Sequence, residues 1–351
     1  MIHIPGYEVI KTLSQSSGFG LYRARSHDTG ATVLIKIHAG SRPRPEDSAG
    51  LKHEYDIASD LELEGVLRPV LLRAYGGGLA LILEDFGGRP LKDMIAHRGL
   101  DIITFLNTAE ALAETLVQLH QRDIVHQDVN TDHILIDPAT GRVKLTGFRM
   151  AAILPKESRE LPSPTVMTAN PAYISPEQTG RTNRPVDHRT DLYSLGVVFF
   201  EALTGALPFQ SRDPLELVHS HIAREPGQPH ELNPAVPPVL SAITLKLMAK
   251  NPEDRYQGAL ALKGDLEECR RRFEETGKID DFPLARQDFS SALKISRDLY
   301  GRDRETGLSW TASSTSAGAP RKWCLSRDGP VSARPSSSNR PVAKSLGEAA
   351  G

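Results

Sequence analysis

The feature that most constrains the fold of this chain is a change of hydrophobic period at Gly87-Gly88. Before it, YEVIKTL (7–13), GLYRAR (20–25) and ATVLIKI (31–37) concentrate β-branched and aromatic residues. They read as strands, with Asp28-Thr29-Gly30 supplying turn chemistry between the last two. A helical stretch around Leu51 to Leu63 precedes two further strands, in GVLRPVLLRAYGGG and LALILEDF. After Gly87-Gly88 the period lengthens. Thr104 to His120 sets Phe105, Leu106, Ala109, Leu112, Ala113, Leu116 and Leu119 on one helical stripe, and helical patterns recur over 190–204, 213–223, 236–249 and 258–273. A half-apolar sheet and amphipathic helices must each bury a face, so the expected architecture is α+β. A small β-rich lobe (1–86) is joined to a larger helical lobe (87–275).

Composition narrows the function. The 351 residues carry 39% hydrophobic side chains, enough for a sizeable core, and 42 basic against 44 acidic residues. That near-neutral balance excludes a nucleic-acid binder relying on bulk charge. Cys269 and Cys324 cannot build a disulfide framework or a zinc cage, which points to a reducing compartment. The opening MIHIPGYEVI lacks the basic and apolar regions of a signal peptide, and the apolar run Leu192 to Phe209 is broken by Glu201, Gly205 and Pro208. A cytoplasmic protein without a membrane span is expected. From residue 308 the character changes: 25 of the 44 residues 308–351 are Ser, Gly, Pro or Ala, and no apolar periodicity survives. Such a segment cannot offset its ordering entropy and reads as a disordered tail.

Two residues raise the question of phosphate chemistry. Lys36 sits inside the apolar strand VLIKI, where a lone charge is costly, and Glu54 follows eighteen residues later on the helical stretch. Taken alone, the pair also reads as a snorkelling edge-strand lysine and an ordinary surface glutamate. The remaining motifs change that balance. HQDVNTDHILI (126–136) follows the long amphipathic helix, VKLTGFR (143–149) comes next, then AYISPEQTG (172–180), DLYSLGVVFFEALTGALPF (191–209) and NPEDRY (251–256).

This order and spacing resembles the Hanks-type, eukaryotic-like serine/threonine protein kinase domain over roughly residues 5–275. EDFGG, SPEQTGR and the LYGRDRE exit are more narrowly similar to one group of bacterial hybrid proteins. In that group a serine/threonine kinase domain is followed by an AAA-like ATPase, a GAF domain and a sensor histidine kinase. The resemblance implies a bilobal kinase fold with ATP as cofactor, a protein substrate or docking partner, and histidine-kinase-type signalling components among its partners. It implies Lys36 as the phosphate-binding lysine, Glu54 as its helix partner and Asp128 as the catalytic base. Leu13, Gly18 and Gly20 would line the nucleotide. Leu83 would be the gatekeeper, with Glu84 and Phe86 on the hinge. Glu177, Arg255 and Asp191 would hold the substrate platform and the catalytic loop. Residues 276–307 would be the linker that leads, in the hybrid group, to the ATPase domain.

The pattern then breaks at the metal. The family positions that supply oxygen ligands are His133 and Gly147 here, and imidazole is a poor ligand for magnesium. Magnesium binding is therefore doubtful, although Asp132 and Asp137 lie nearby. Ser14, Ser16 and Phe19 stand where the phosphate loop usually has glycine. Each lost charge-stabilising group costs ~3–4 kcal/mol in a transition state, so impaired catalysis is expected. Arg149, which replaces a glycine, would be placed to bind phosphate instead of metal. Ser158, Ser163, Thr165 and Thr168 are phosphoacceptor candidates in the activation segment, where the prolines at 155, 162, 164 and 171 equally describe an irregular loop. Two readings remain open: an impaired kinase-fold signalling domain, and an active serine/threonine kinase with atypical metal coordination. A small-molecule phosphotransferase fits less well, because Glu177, Asp191 and Arg255 belong, as the resemblance has it, to peptide-substrate platforms.

Overall fold

The computed structural model describes residues 4–16, 18–40, 43–95, 99–154, 170–286 and 288. In the first lobe, β1 (Tyr7–Ser16), β2 (Phe19–Ser26), β3 (Thr32–His38), β4 (Pro69–Tyr75) and β5 (Gly78–Glu84) pair antiparallel in the order β1-β2-β3-β5-β4. Strand alternation sorts their side chains onto two faces. Tyr22, Ala24, Ile35, Ile37, Ala80 and Ile82 form the back cluster. Leu13, Leu21, Leu34, Leu81 and Leu83 form the front cluster, with Leu51 and Leu67 packed among them.

Helix α1 (Pro45–Ser59) begins before the Leu51 to Leu63 stretch that apolar spacing marks, and ends sooner. Its first turn is set by polar chemistry instead. Pro45 occupies the first helical position, and the Asp47 side chain accepts the Arg44 N–H at 2.8 Å. Leu51, Glu54 and Ala58 are its buried residues, together with Asp47, so the helix lays Glu54 against the sheet.

The second lobe is built on α2 (Ile102–His120), whose N-terminus is capped by Asp101 accepting the Thr104 N–H at 3.0 Å. The short strands β6 (Arg89–Pro90), β8 (Ile134–Ile136) and β9 (Val143–Leu145) form one ladder, and β7 (Ile124–Val125) pairs with β10 (Ala152–Ile153). The loop at 126–133 runs between these two ladders, from β7 to β8. Helix α3 (Arg189–Thr204) is buried along most of its length, with Phe199 edge-on to Phe105 of α2 at 5.1 Å. Then follow α4 (Pro214–Ala223), α5 (Pro229–Leu232), α6 (Pro238–Leu247) and α7 (Ala259–Thr276).

The packed chain continues past residue 275. Ile279 joins the core, Ala285 donates its N–H to Asp265 at 2.8 Å, and Asp288 accepts the Gln257 N–H. The start of the expected 276–307 linker is therefore part of the folded lobe; the 308–351 tail and Cys324 lie outside the described residues. Among the described residues no helix is long and apolar enough to cross a membrane.

Candidate active site

Strand β3 carries Lys36 inward on the same face as Leu34, and α1 brings Glu54 to meet it. Lys36 Nζ reaches both Glu54 oxygens, at 3.0 and 2.8 Å, and both side chains are buried. Glu54 Oε1 also accepts the Gly147 N–H at 3.0 Å. One carboxylate thus ties the sheet, the helix and the turn after β9 together. His53 adds a second tie, with Nε2 2.7 Å from the Ala151 carbonyl.

The 126–133 loop is held from behind by Asp191 at the start of α3. Its carboxylate accepts the N–H groups of His126 and Gln127 at 2.9 and 2.8 Å and lies 2.9 Å from His120 Nε2. Burial alone would raise this carboxyl, but the hydrogen bonds and nearby imidazoles hold it below the usual carboxylate range. His126 Nδ1 accepts the Asp128 N–H at 3.2 Å, which leaves Nε2 to donate to the Thr146 carbonyl at 3.0 Å. Asp128 itself is buried, and Asn130 donates to its Oδ1 at 2.9 Å, whereas Oδ2 has no hydrogen-bond partner. Burial pushes this carboxyl up to about 7, against the opposing pull of Arg149, the Asn130 amide and Lys36.

His133 and Gly147 face each other. Burial, reinforced by Lys36, holds the imidazole well below its usual value, so it is neutral near pH 7. Its 3.4 Å approach to Asp128 Oδ2 is consequently not an ion pair. Nδ1 lies 2.9 Å from the Asp128 carbonyl and 3.0 Å from the Asn130 amide, donating to the first in one tautomer and accepting from the second in the other. Gly147 has φ +92°, and a Cβ there would sit 2.5 Å from the His133 ring. Among the described residues no three His, Cys, Asp or Glu side chains converge as a metal site, Asp132 and Asp137 included. Asp132 pairs with Lys92 at 3.4 Å, and Asp137 accepts from Thr140 at 2.5 Å.

The β1-β2 hairpin closes over this region, pairing Ser14 with Leu21 and Ser16 with Phe19. Gly18 takes φ +78° at its tip, as a tight turn requires, and Gly20 faces the Tyr22 ring. Arg149 lies over the Phe19 ring, 4.0 Å from its centroid. A partly open cleft remains, lined by Ser14, Ser16, Phe19, Lys36, Asp132, His133 and Arg149 among others. At the far end, Leu13 and Leu83 are buried in the front cluster. The Glu84 side chain pairs with Lys144 at 2.6 Å, and its N–H is donated to the Arg68 carbonyl. The Phe86 carbonyl accepts from Arg142 at 3.2 Å.

Farther below, Arg255 donates both guanidinium arms to Glu177, at 2.7 and 2.8 Å, in full burial. Thr190 adds a hydroxyl to the same carboxylate at 2.9 Å. The structure also joins residues that sequence reading passed over. Tyr173 donates to Glu201 at 2.5 Å, and Thr131 contacts both, tying the 126–133 loop to α3. Only Glu201, the sole charged residue within the 192–209 run, hinted at it. Ser158, Ser163, Thr165 and Thr168 lie outside the described residues.

A family model for the protein kinase domain matches residues 7–265. This chain belongs to the protein kinase family. The kinase domain is 33% identical over 271 residues to serine/threonine-protein kinase PknB of Mycobacterium tuberculosis, covering 72% of this chain and 42% of that protein. It is 29% identical over 267 residues to the probable serine/threonine-protein kinase CPE1738 of Clostridium perfringens, covering 76% and 38%. It is 46% identical over 153 residues to hybrid signal transduction histidine kinase G of Dictyostelium discoideum, covering 38% of this chain and 4% of that protein. The chain thus spans less than half the length of these relatives. Together they support a Hanks-type serine/threonine kinase domain with the bilobal α+β fold described above. Protein kinases in general use ATP with magnesium and act on proteins.

Proposed function

We propose that this kinase domain is a signalling module whose phosphoryl-transfer chemistry is impaired and which acts by docking onto a protein partner. The observation that carries the reading is the interlock of His133 with Gly147. The ring occupies the space in which a carboxylate at 147 would begin, and its Nδ1 is used within the loop. Magnesium wants oxygen ligands in octahedral array, and these two positions offer a neutral imidazole and no side chain. The donor set does not fit the metal. Loss of two charge-stabilising groups amounts to roughly 6–8 kcal/mol of barrier if additive, about 10⁴- to 10⁶-fold in rate. In this reading Lys36 holds phosphate, Glu54 positions Lys36, and Asp191, Glu177 and Arg255 keep the docking platform in shape. A histidine-kinase-type signalling component is the partner class we favour, given the likeness to the Dictyostelium hybrid kinase.

A second reading is an active serine/threonine kinase with atypical metal coordination. Two observations favour it: the intact Lys36–Glu54 pair, and Asp128 with an unpartnered oxygen suited to taking a proton from an acceptor hydroxyl. One assay separates the two. Purified protein is incubated with γ-labelled ATP, magnesium or manganese and a generic protein acceptor, beside Lys36→Ala and Asp128→Asn. Impairment predicts label incorporation no higher than in either variant; incorporation above both establishes the active kinase.

A further inference from the structure

The base-binding end of the cleft differs from its phosphate end. Kinase strand β3 ordinarily reads V-A-I-K, with alanine two residues before the lysine. Here the same stretch is Val33-Leu34-Ile35-Lys36. Alternation points Leu34 to the face that carries Lys36, and pairing sets it directly opposite Leu83. Leu34 is fully buried in one cluster with Leu13 and Leu21 above and Leu135 from the second lobe below. Leu135 is 0% exposed, although it lies on β8 across the cleft. The two lobes therefore touch through leucine where a planar base would have to slide between them. Interiors at this packing density admit no ring without displacing side chains. One hinge contact described above points the same way: the Phe86 carbonyl is engaged by Arg142.

The open space lies elsewhere. The open cleft is lined by the Ser14 and Ser16 side of the hairpin, Lys36, His133, Thr146, Arg149 and Asp132, whose charge is met by Lys92. The charge of Lys36 is matched by Glu54. Arg149 is different: among the described residues no carboxylate lies within ion-pair distance of it, and its guanidinium rests on the Phe19 ring. A planar fork stacked on an aromatic face keeps its N–H donors free for phosphate oxygens.

We propose that the cleft takes a base-free polyphosphate anion at its Lys36–Arg149 end, and that Leu34 excludes the purine of a nucleotide. The proposal rests on the kinase-derived cleft of the preceding reading and specifies its ligand. ATP, on this account, binds through its triphosphate alone, with the nucleoside outside the slot.

The test is binding of the full chain, without metal and in EDTA, to sodium tripolyphosphate, ATP and adenosine, by calorimetry and thermal shift. Tripolyphosphate and ATP are expected to bind within about threefold of each other, and millimolar adenosine to leave the melting temperature unchanged. Arg149→Ala should weaken both anions by about tenfold or more. Leu34→Ala should gain a measurable adenosine shift. Adenosine binding to the unmutated protein, ATP binding more than tenfold tighter than tripolyphosphate, or no binding of either anion would overturn the proposal. The wild-type comparisons decide even where Leu34→Ala fails to fold. Impaired phosphoryl transfer together with tight adenosine binding would remove this inference and leave the proposed function standing.

Discussion

Two buried ionic regions of the molecule are built to different standards. Around Glu177 and Arg255, paired charges are met by further donors and acceptors: two guanidinium arms, the Thr190 hydroxyl and backbone carbonyls. In the cleft, Asp128 keeps one oxygen unpartnered, His133 is neutral, and Gly147 has no side chain to offer. The difference teaches what each region is for. A buried charge left unmatched is costly to fold, so a platform must be complete whether or not the domain catalyses anything. Metal ligands contribute nothing to stability until the metal arrives, and their positions can be refilled by residues that pack.

The largest expected effect lies in the completed region. Arg255→Met leaves Glu177 without its guanidinium and should cost ~3–5 kcal/mol, read as a lower urea midpoint. Lys36→Met should fall at the lower end of that ~3–5 kcal/mol range, because Glu54 retains the Gly147 N–H. Equal losses at the two sites would remove the distinction between platform and cleft.

A pH series sharpens the same contrast. The folded-state pKa of Asp128 is raised to about 7, above its value in the unfolded chain. The group's stabilising contribution is therefore complete below about pH 4 and lost as pH rises through about 7. Asp128→Asn should bring relative stabilisation of up to a few kcal/mol at pH 8 compared with pH 4. A difference between variant and wild type that stays constant from pH 4 to 8 would contradict the buried, proton-holding carboxyl.

The smallest effect concerns the interlock. Gly147→Asp should cost about 1–3 kcal/mol, since the new Cβ meets the His133 ring. In a His133→Asn background the same change should cost less, by ~0.5–2 kcal/mol in a double-mutant cycle. Strict additivity would mean that the two positions do not share their space.

Much of this architecture was legible from residue pattern. A lysine within VLIKI needs a buried partner, and Glu54 is the buried carboxylate that α1 delivers. The two-lobed division followed from the change of period at Gly87-Gly88. The first turn of α1 was not legible, because Pro45 and Asp47 act through backbone capping and carry no apolar period. The Thr131–Tyr173–Glu201 cluster joins residues up to 70 positions apart, which only the folded chain brings together. Leu34 looks like any strand leucine until the fold buries it in one cluster with Leu83 and Leu135. Arg149 was visible as an unexpected cation, but its seat on Phe19 depends on how the hairpin closes.

The proposed impairment requires that this cleft lack the oxygen ligands that seat a divalent cation. Free Mn²⁺, counted by electron paramagnetic resonance during titration with the protein, tests it most directly. The account predicts that wild-type protein and Asp128→Asn leave the same free Mn²⁺ at every concentration. Depletion of free Mn²⁺ by the wild type, abolished in Asp128→Asn and in His133→Ala, would contradict it.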